Sequence, residues 1–237
     1  QFSQNIKSTL GADLVGEWTF DEGSGGTVRD SSGNNNHGTW NGTGSHWSDE
    51  GIVRKAGQFN GSDDYVSCGN DEIFNISGEL TIETWIYPTS SNLTYYRGVI
   101  TKYSQLNNKR AYQVIVDEGY SKYLGQGTVQ FWISSDGSTR DHVEALGVTN
   151  QWQHIIGTYD GSSMSIFVNG ELKHTKNTSI GNIYIENLPP LMIGSDEIQN
   201  RFFRGLIDEV RIYKRALTAE EIQKRYAETK YKYLTKE

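Results

Sequence analysis

The chain has one cysteine, Cys68, so it cannot close a disulfide on itself. It has only 3 prolines in 237 residues, which excludes a proline-rich linker or stalk. No run approaches the roughly 20 apolar residues that carry a helix across a bilayer, so membrane insertion is excluded. Basic residues are in deficit, with 22 Lys and Arg against 29 Asp and Glu, a net charge of −7. No basic face is present to neutralise phosphates, which excludes nucleic acid as a partner. The five histidines (His37, His46, His142, His154 and His174) include no pair at metal-ligand spacing, which excludes a transition-metal centre. The Gly-x-Ser-x-Gly signature of a nucleophile elbow does not occur.

What is abundant is glycine and aromatics. With 26 Gly and so few prolines, turns must be built from Gly, Asn, Asp and Ser. The 14 Tyr and 6 Trp suit pleated strands, and an exposed ring also suits the apolar face of a sugar. Cys68, within Tyr65-Val66-Ser67-Cys68-Gly69, reads as a small buried residue. The triplets at Asn41, Asn75, Asn92 and Asn177 are those of N-glycosylation acceptors, but in an Asn-rich chain they carry no inference.

Along the chain, Phe2, Ile6 and Leu10 have helical spacing, and residues 1–13 read as an N-terminal extension. Strands begin at Leu14. Short apolar or alternating runs follow at 14–20, 58–60, 65–68, 80–87, 98–103, 111–117, 128–134, 152–159, 163–168, 191–194 and 205–213. Asp136-Gly137, Asp160-Gly161 and Asn169-Gly170 mark hairpin turns, since both residue types tolerate positive φ. Asp21 to His37 is a long surface loop of the kind that a ligand or ion ties down. Thr218-Ala219-Glu220-Glu221 is a capping box, and Leu217, Ile222 and Tyr226 supply the apolar stripe of a helix behind it. Lys230 to Glu237 reads as a charged, frayed tail. The fold class is therefore all-β, an antiparallel two-sheet β-sandwich with one short C-terminal helix, in a single domain over 14–229.

Five motifs in order then carry a resemblance. They are Trp18-Thr19-Phe20-Asp21-Glu22-Gly23 leading into Asp30 to Gly38; Phe59-Asn60-Gly61-Ser62-Asp63-Asp64-Tyr65; Leu80 to Ile86; Trp152-Gln153-His154 with Tyr159-Asp160-Gly161 and Ile166 to Gly170; and Phe203 to Tyr213 running into Arg215-Ala216-Leu217-Thr218. Together these resemble the laminin-G-like jelly-roll domains of the concanavalin A-like lectin/glucanase superfamily. The resemblance implies a jelly roll in which the first and last strands lie side by side. It implies lectins, carbohydrate-binding modules, adhesion domains or glycan-active enzymes as functions. It also implies a structural Ca²⁺ held by the N-terminal loop. The candidate ligands are Asp21, Asp30, Gly33, Asn36 and Asp208, hard oxygen donors with a flexible glycine-rich backbone to supply carbonyls. Without the ion, Asp30 and Asn36 would instead brace their own turns.

Catalysis finds little support. A glycosidase needs two carboxylates across the sugar, and no strand carries Glu, Asp and Glu alternating on one face. Asp208 and Glu209 are adjacent and point to opposite faces of a regular strand. Gln151-Trp152-Gln153-His154 is similar to a lyase motif but lacks its Arg- and Tyr-rich partner strands. Binding has a better candidate. In Thr128 to Ser134 the alternation puts Val129, Phe131 and Ile133 in the core and turns Gln130 and Trp132 outward. In Ala111 to Asp117 it turns Gln113 outward. Trp132, Gln130, Gln113 and Lys102 are expected to form a polar-aromatic patch on the concave sheet, with Tyr95, Tyr96, Arg97 and the loop from Asp196 to Arg201 at its rim.

The expected function is a non-catalytic carbohydrate-binding or adhesion module. The partner is a glycan or polysaccharide, and the setting is secreted or cell-surface. The lack of disulfides fits a prokaryotic exterior. A surface domain that contacts proteins and has no sugar site is the first alternative, and a glycan-active hydrolase or lyase the second.

Overall fold

A computed structural model describes residues 11–89, 96–104, 108–117, 127–147, 149–196 and 201–234. The expected N-terminal helix over Phe2, Ile6 and Leu10 lies outside these residues, as do Tyr95 and positions 197–200 of the expected rim.

Two antiparallel sheets pack face to face. The first contains β1 (Leu14–Trp18), β4 (Trp47–Ser48), β5 (Ala56–Asn60), β7 (Leu80–Pro88), β12 (Gln153–Tyr159), β13 (Ser163–Val168), β14 (Glu171–Asn177) and β16 (Arg204–Tyr213). Its order is β14-β13-β12-β7-β16-β5-β4, with β1 also paired to β16. The second contains β2 (Thr27–Val28), β3 (Gly38–Asn41), β6 (Tyr65–Ser67), β8 (Tyr96–Ser104), β9 (Lys109–Asp117), β10 (Thr128–Ser134), β11 (Arg140–Leu146) and β15 (Met192–Ile193). Its order is β11-β10-β9-β8-β15-β6-β3-β2. The first and last strands do pair, with Trp18 opposite Val210.

Period-2 patterning explains the core. Tyr112, Val114, Val129, Phe131 and Val143 from the second sheet meet Ile82, Ile86, Ile155, Ile207 and Ile212 from the first, all buried. Gly157 on β12 sits where a Cβ would come within 2.4 Å of the Phe131 ring, so only glycine lets that ring span the two sheets. At Asn169-Gly170 both φ angles are positive, +53° and +78°, the backbone that joins β13 to β14 through a two-residue turn.

Helix α1 (Ala219–Leu234) covers the outer face of the first sheet. It starts at the expected capping box: Thr218 Oγ1 accepts from Glu221 N at 3.3 Å, and Glu221 Oε2 accepts from Thr218 N at 2.9 Å. Leu217 and Ile222 pack with Ile156, Phe167 and Tyr213. Tyr226 stacks on Trp85 and His154. The helix runs on to Leu234, so the stretch read as a frayed tail from Lys230 is largely helical. The i and i+4 partners Lys224 and Glu228 continue its exposed face.

Under this helix lies a fully buried carboxylate, Glu83 on β7. It accepts from Arg225 Nε at 3.0 Å and from Tyr213 Oη at 3.3 Å, and lies 3.0 Å from His154 Nε2 and 3.8 Å from Arg211 Nη1. Burial pushes its pKa up, but Arg225 and Arg211 outweigh that and hold it well below the usual carboxylate range. The unfolded chain therefore takes up this proton first as pH falls. The clamp stabilises fully above about pH 4.3, and its contribution is lost progressively below that. We predict that Glu83→Gln, which leaves the Arg225 guanidinium without its carboxylate while Arg211 keeps Glu17 and Glu209, costs about 3 kcal/mol. Urea unfolding at pH 7 and pH 3 checks this: the variant should lose both that stability and most of the acid sensitivity of the parent.

Candidate functional site

With the first sheet sealed by α1, the outward face of the second sheet at β8 to β11 is the one that gathers half-exposed rings and polar groups. The alternation expected for β9 and β10 is observed. Val129, Phe131 and Ile133 are in the core. Gln130 and Trp132 face outward. The antiparallel register sets Trp132 opposite Gln113 on β9 and His142 on β11, and Gln130 opposite Ile115 and Glu144.

The outward side chains form a connected floor. Trp132 is half-buried and donates from Nε1 to Gln130 Oε1 at 2.8 Å. Its ring stacks on His142 at 4.0 Å and 11°, and the guanidinium of Arg140 lies 5.2 Å from the ring centre. A ligand would thus meet a layered imidazole, indole and guanidinium and not a bare ring. Burial lowers the His142 pKa below the usual imidazole value, partly offset by Glu144. Gln130 Nε2 donates to Asp117 Oδ2 at 3.3 Å and Glu144 Oε2 at 3.4 Å. Gln113 is 4% exposed, and its Oε1 has no donor among the described residues. A buried acceptor left unpaired costs about 1–3 kcal/mol, so it marks where a donor from outside the chain would be held. Tyr96, half-buried and opposite Asp117, carries the guanidinium of Arg201 5.5 Å from its ring, with Arg201 also 3.3 Å from Asp196.

Two expected members are elsewhere. Lys102 pairs with Tyr112, whose side chain is in the core, and a register shift follows immediately at Tyr103. Its ammonium runs inward to Asn70 Oδ1 at 2.6 Å and the Pro189 carbonyl at 3.1 Å. The outward positions on β8 are instead Thr101 and Tyr103. Arg97 pairs with inward-facing Val116, is buried, and donates to the Phe202 carbonyl at 3.2 Å. Sequence reading missed Tyr103, Arg110, Arg140 and His142. The Asp136-Gly137 turn was the available signal: a hairpin return strand must follow it, and the register then sets His142 beside Trp132.

The residues proposed for calcium spread over three places. Asp30 braces its loop, accepting from the amides of Glu17, Ser32 and Asn36, each at 2.9 Å. The Asn36 carbonyl accepts from Trp18 Nε1 at 2.9 Å, and Gly33 takes φ +97° within the same loop. Asp208 does not reach that loop. It accepts from Ile52 N at 2.8 Å and from Glu209 N at 2.7 Å. Asp21 lies against Arg54 and the Lys55 amide. Both carboxylates with buried positions thus hold backbone N–H groups, and the set does not converge on a cation. Among the described residues no three His, Cys, Asp or Glu side chains do.

A separate open pocket of about 540 Å³ beside α1 is lined by Glu17, Asp21, Arg54, Glu209 and Arg211 among others. Its charges pair internally: Arg211 with Glu17 and Glu209, Arg54 with Asp21. It has no aromatic wall.

A laminin-G-like family model described as the concanavalin A-like lectin/glucanases superfamily matches residues 60–223. The chain belongs to this superfamily. Among curated relatives, pappalysin-1 of Mus musculus is 35% identical over 75 residues, which is 30% of this chain and 5% of that protein. Human pappalysin-1 is 33% identical over 75 residues, 4% of its length. The match therefore spans a small fraction of either relative. Among solved structures, the binding domain of Paraclostridial Mosquitocidal Protein 1 superposes with TM-score 0.70 at 17% identity, covering 92% of this chain and 52% of that one. The receptor binding domain of botulinum neurotoxin C/D mosaic serotype gives 0.71 at 16%, again covering 92% and 52%. Domain 4 of the Geobacillus stearothermophilus arabinanase AbnA, solved with arabinotriose, gives 0.62 at 21% and covers 90% of this chain and 97% of that one. These likenesses establish the superfamily's fold, and about half of each toxin chain has a counterpart here.

The inward course of Lys102 has a measurable consequence. Burial lowers its pKa to about 8, with Asp71 pulling the other way. Between pH 8 and about 10.4 the unfolded state binds this proton more tightly, so the group adds stability as pH rises through that window. The urea midpoint of the parent should therefore rise relative to that of Lys102→Met as the pH goes from 7.5 to 10. A constant difference would place the ammonium in water.

Proposed function

We propose that this chain is a non-catalytic glycan-binding module that takes its ligand on the outward face of β8–β11, as part of a secreted or cell-surface protein. One observation carries the reading: a half-exposed indole stands beside a buried, unpaired amide oxygen, Trp132 beside Gln113, on the one large sheet face not covered by the helix. Sugars present apolar ring faces and hydroxyl donors together, and a site of this composition complements both. Gln130, Asp117 and Glu144 supply further acceptors within one hydrogen-bonded floor. The arabinotriose bound to the AbnA domain and the receptor-binding role of the neurotoxin domain support a binding role for this architecture.

Calcium remains part of the proposal through the family resemblance, and not through the arrangement of donors. An ion in the N-terminal loop would have to displace the amides that Asp30 now holds. The expected result is a melting temperature several degrees higher in excess Ca²⁺ than in EDTA, whereas a shift below about 2 °C would take calcium out of the proposal.

A second reading, a glycan-active enzyme, draws on Asp117 and Glu144, which flank Gln130 from two strands. The Gln130 amide occupies the space between them, where the scissile oxygen would have to lie. A glycan array with the parent and Trp132→Ala tests the first reading: binding by the parent is expected to weaken at least about tenfold in the variant. Release of new reducing ends from any array ligand would favour the enzyme, and no binding at all would remove the glycan reading.

A further inference from the structure

Resting on the reading of this face as a glycan site, we propose that its ligand is an anionic glycan, one whose sugar carries a carboxylate or sulfate group. The outward face carries both signs of charge. Around Gln130 it holds Asp117 and Glu144, with Arg201 paired to Asp196 beside Tyr96. Around Tyr103 it holds two guanidiniums, and Arg140 acts electrostatically on Tyr96 as well. Arg110 lies 5.5 Å from the centre of the Tyr103 ring, and Arg140 Nη1 donates to the Tyr103 hydroxyl at 2.7 Å. Arg140 also caps Trp132, so a ring platform and a cation are layered in one place.

Neither guanidinium has a carboxylate partner among the described residues. Arg110 donates from Nη1 to the Gly137 carbonyl at 3.1 Å and to Asn108 Oδ1, both neutral, and its buried Nε has no acceptor. The acids nearest in sequence are engaged elsewhere. Asp136 takes the Ser138 amide and the Thr139 hydroxyl, and Asp141 pairs with Lys176. In a chain of net charge −7, two like charges gathered on one tyrosine without a counter-ion form a site that an anion would complete. Guanidinium donors match carboxylate and sulfate oxygens geometrically, and Arg140 is exposed enough to turn its free edge to a ligand. A neutral glycan would leave both charges unanswered.

The test is isothermal titration of the intact chain with three tetrasaccharides of equal length: a hexuronic acid oligomer, its carboxyl-reduced neutral form, and a sulfated oligomer. The parent is expected to bind one or both anionic chains at least about tenfold more tightly than the neutral one, with the difference shrinking in 0.5 M NaCl. Arg140→Gln and Arg110→Gln should each reduce that ratio toward one, and circular dichroism melts should show the variants folded. The ratio between the carboxylated and sulfated chains identifies the anion. Equal binding of all three by the parent, or an anionic preference that survives both substitutions, overturns the proposal while leaving the face a glycan site. No binding of any chain, with none on the array, overturns the underlying reading as well.

Discussion

A single buried carboxylate decides which surface of this sandwich is available. Glu83 sits at the centre of the first sheet, where an unpaired charge would cost several kcal/mol. It is tolerable only because Arg225 reaches it from α1 while Arg211, His154 and Tyr213 reach it from adjacent strands. Arg211 in turn binds Glu17 on β1 at 2.5 Å and Glu209 on its own strand. The first strand, the last strand and the helix are thereby tied through one charge network. The apolar contacts of Leu217 and Ile222 fasten the same helix, so packing and electrostatics agree in sealing this face.

The second sheet has no helix over β8 to β11 among the described residues: Ser195 and Asp196 cover Gly98 and Thr101 on β8, and Trp132, His142 and Arg140 form the more open part of a polar outward face. Its side chains are not loose. Asp117, Gln130 and Trp132 form a chain of hydrogen bonds across two strands, and β11 contributes Glu144 to it and His142 to the indole stack. Such a floor is pre-ordered before any ligand arrives, which reduces the ordering cost of binding. The groups left over (the Gln113 carbonyl oxygen, the free edge of Trp132 and the two guanidiniums at Tyr103) are those that a ligand can use.

Much of this was legible from residue order. Strict alternation in Ala111 to Asp117 and Thr128 to Ser134 placed Gln113, Gln130 and Trp132 on the correct face, because both strands carry a β-branched or aromatic core row. The Thr218 to Glu221 capping box located α1. What failed did so for local physical reasons. Simple alternation turns Lys102 outward, but register shifts at Val99 and before Tyr103 insert extra residues, and one residue exchanges the faces of a strand. Arg140 to Leu146 was not read as a strand because only Val143 and Ala145 face the core, and its charged row belongs to a sheet edge. The short strands β2, β3 and β4 hide in Gly- and Asn-rich sequence for a similar reason: too few residues to show a period. On β16 the adjacency of Asp208 and Glu209 suggested opposite faces, yet a bulge with Glu209 at φ +52° breaks the alternation there.

Hydrogen exchange read by mass spectrometry, with and without a saturating oligosaccharide, localises the binding face directly. Slower exchange on ligand addition is predicted in the peptides that span β9, β10 and β11, with α1 and β14 unchanged. Protection confined to α1, β14 or the pocket between Glu17 and Arg211 would contradict the assignment of the sealed and the open face, and with it the site.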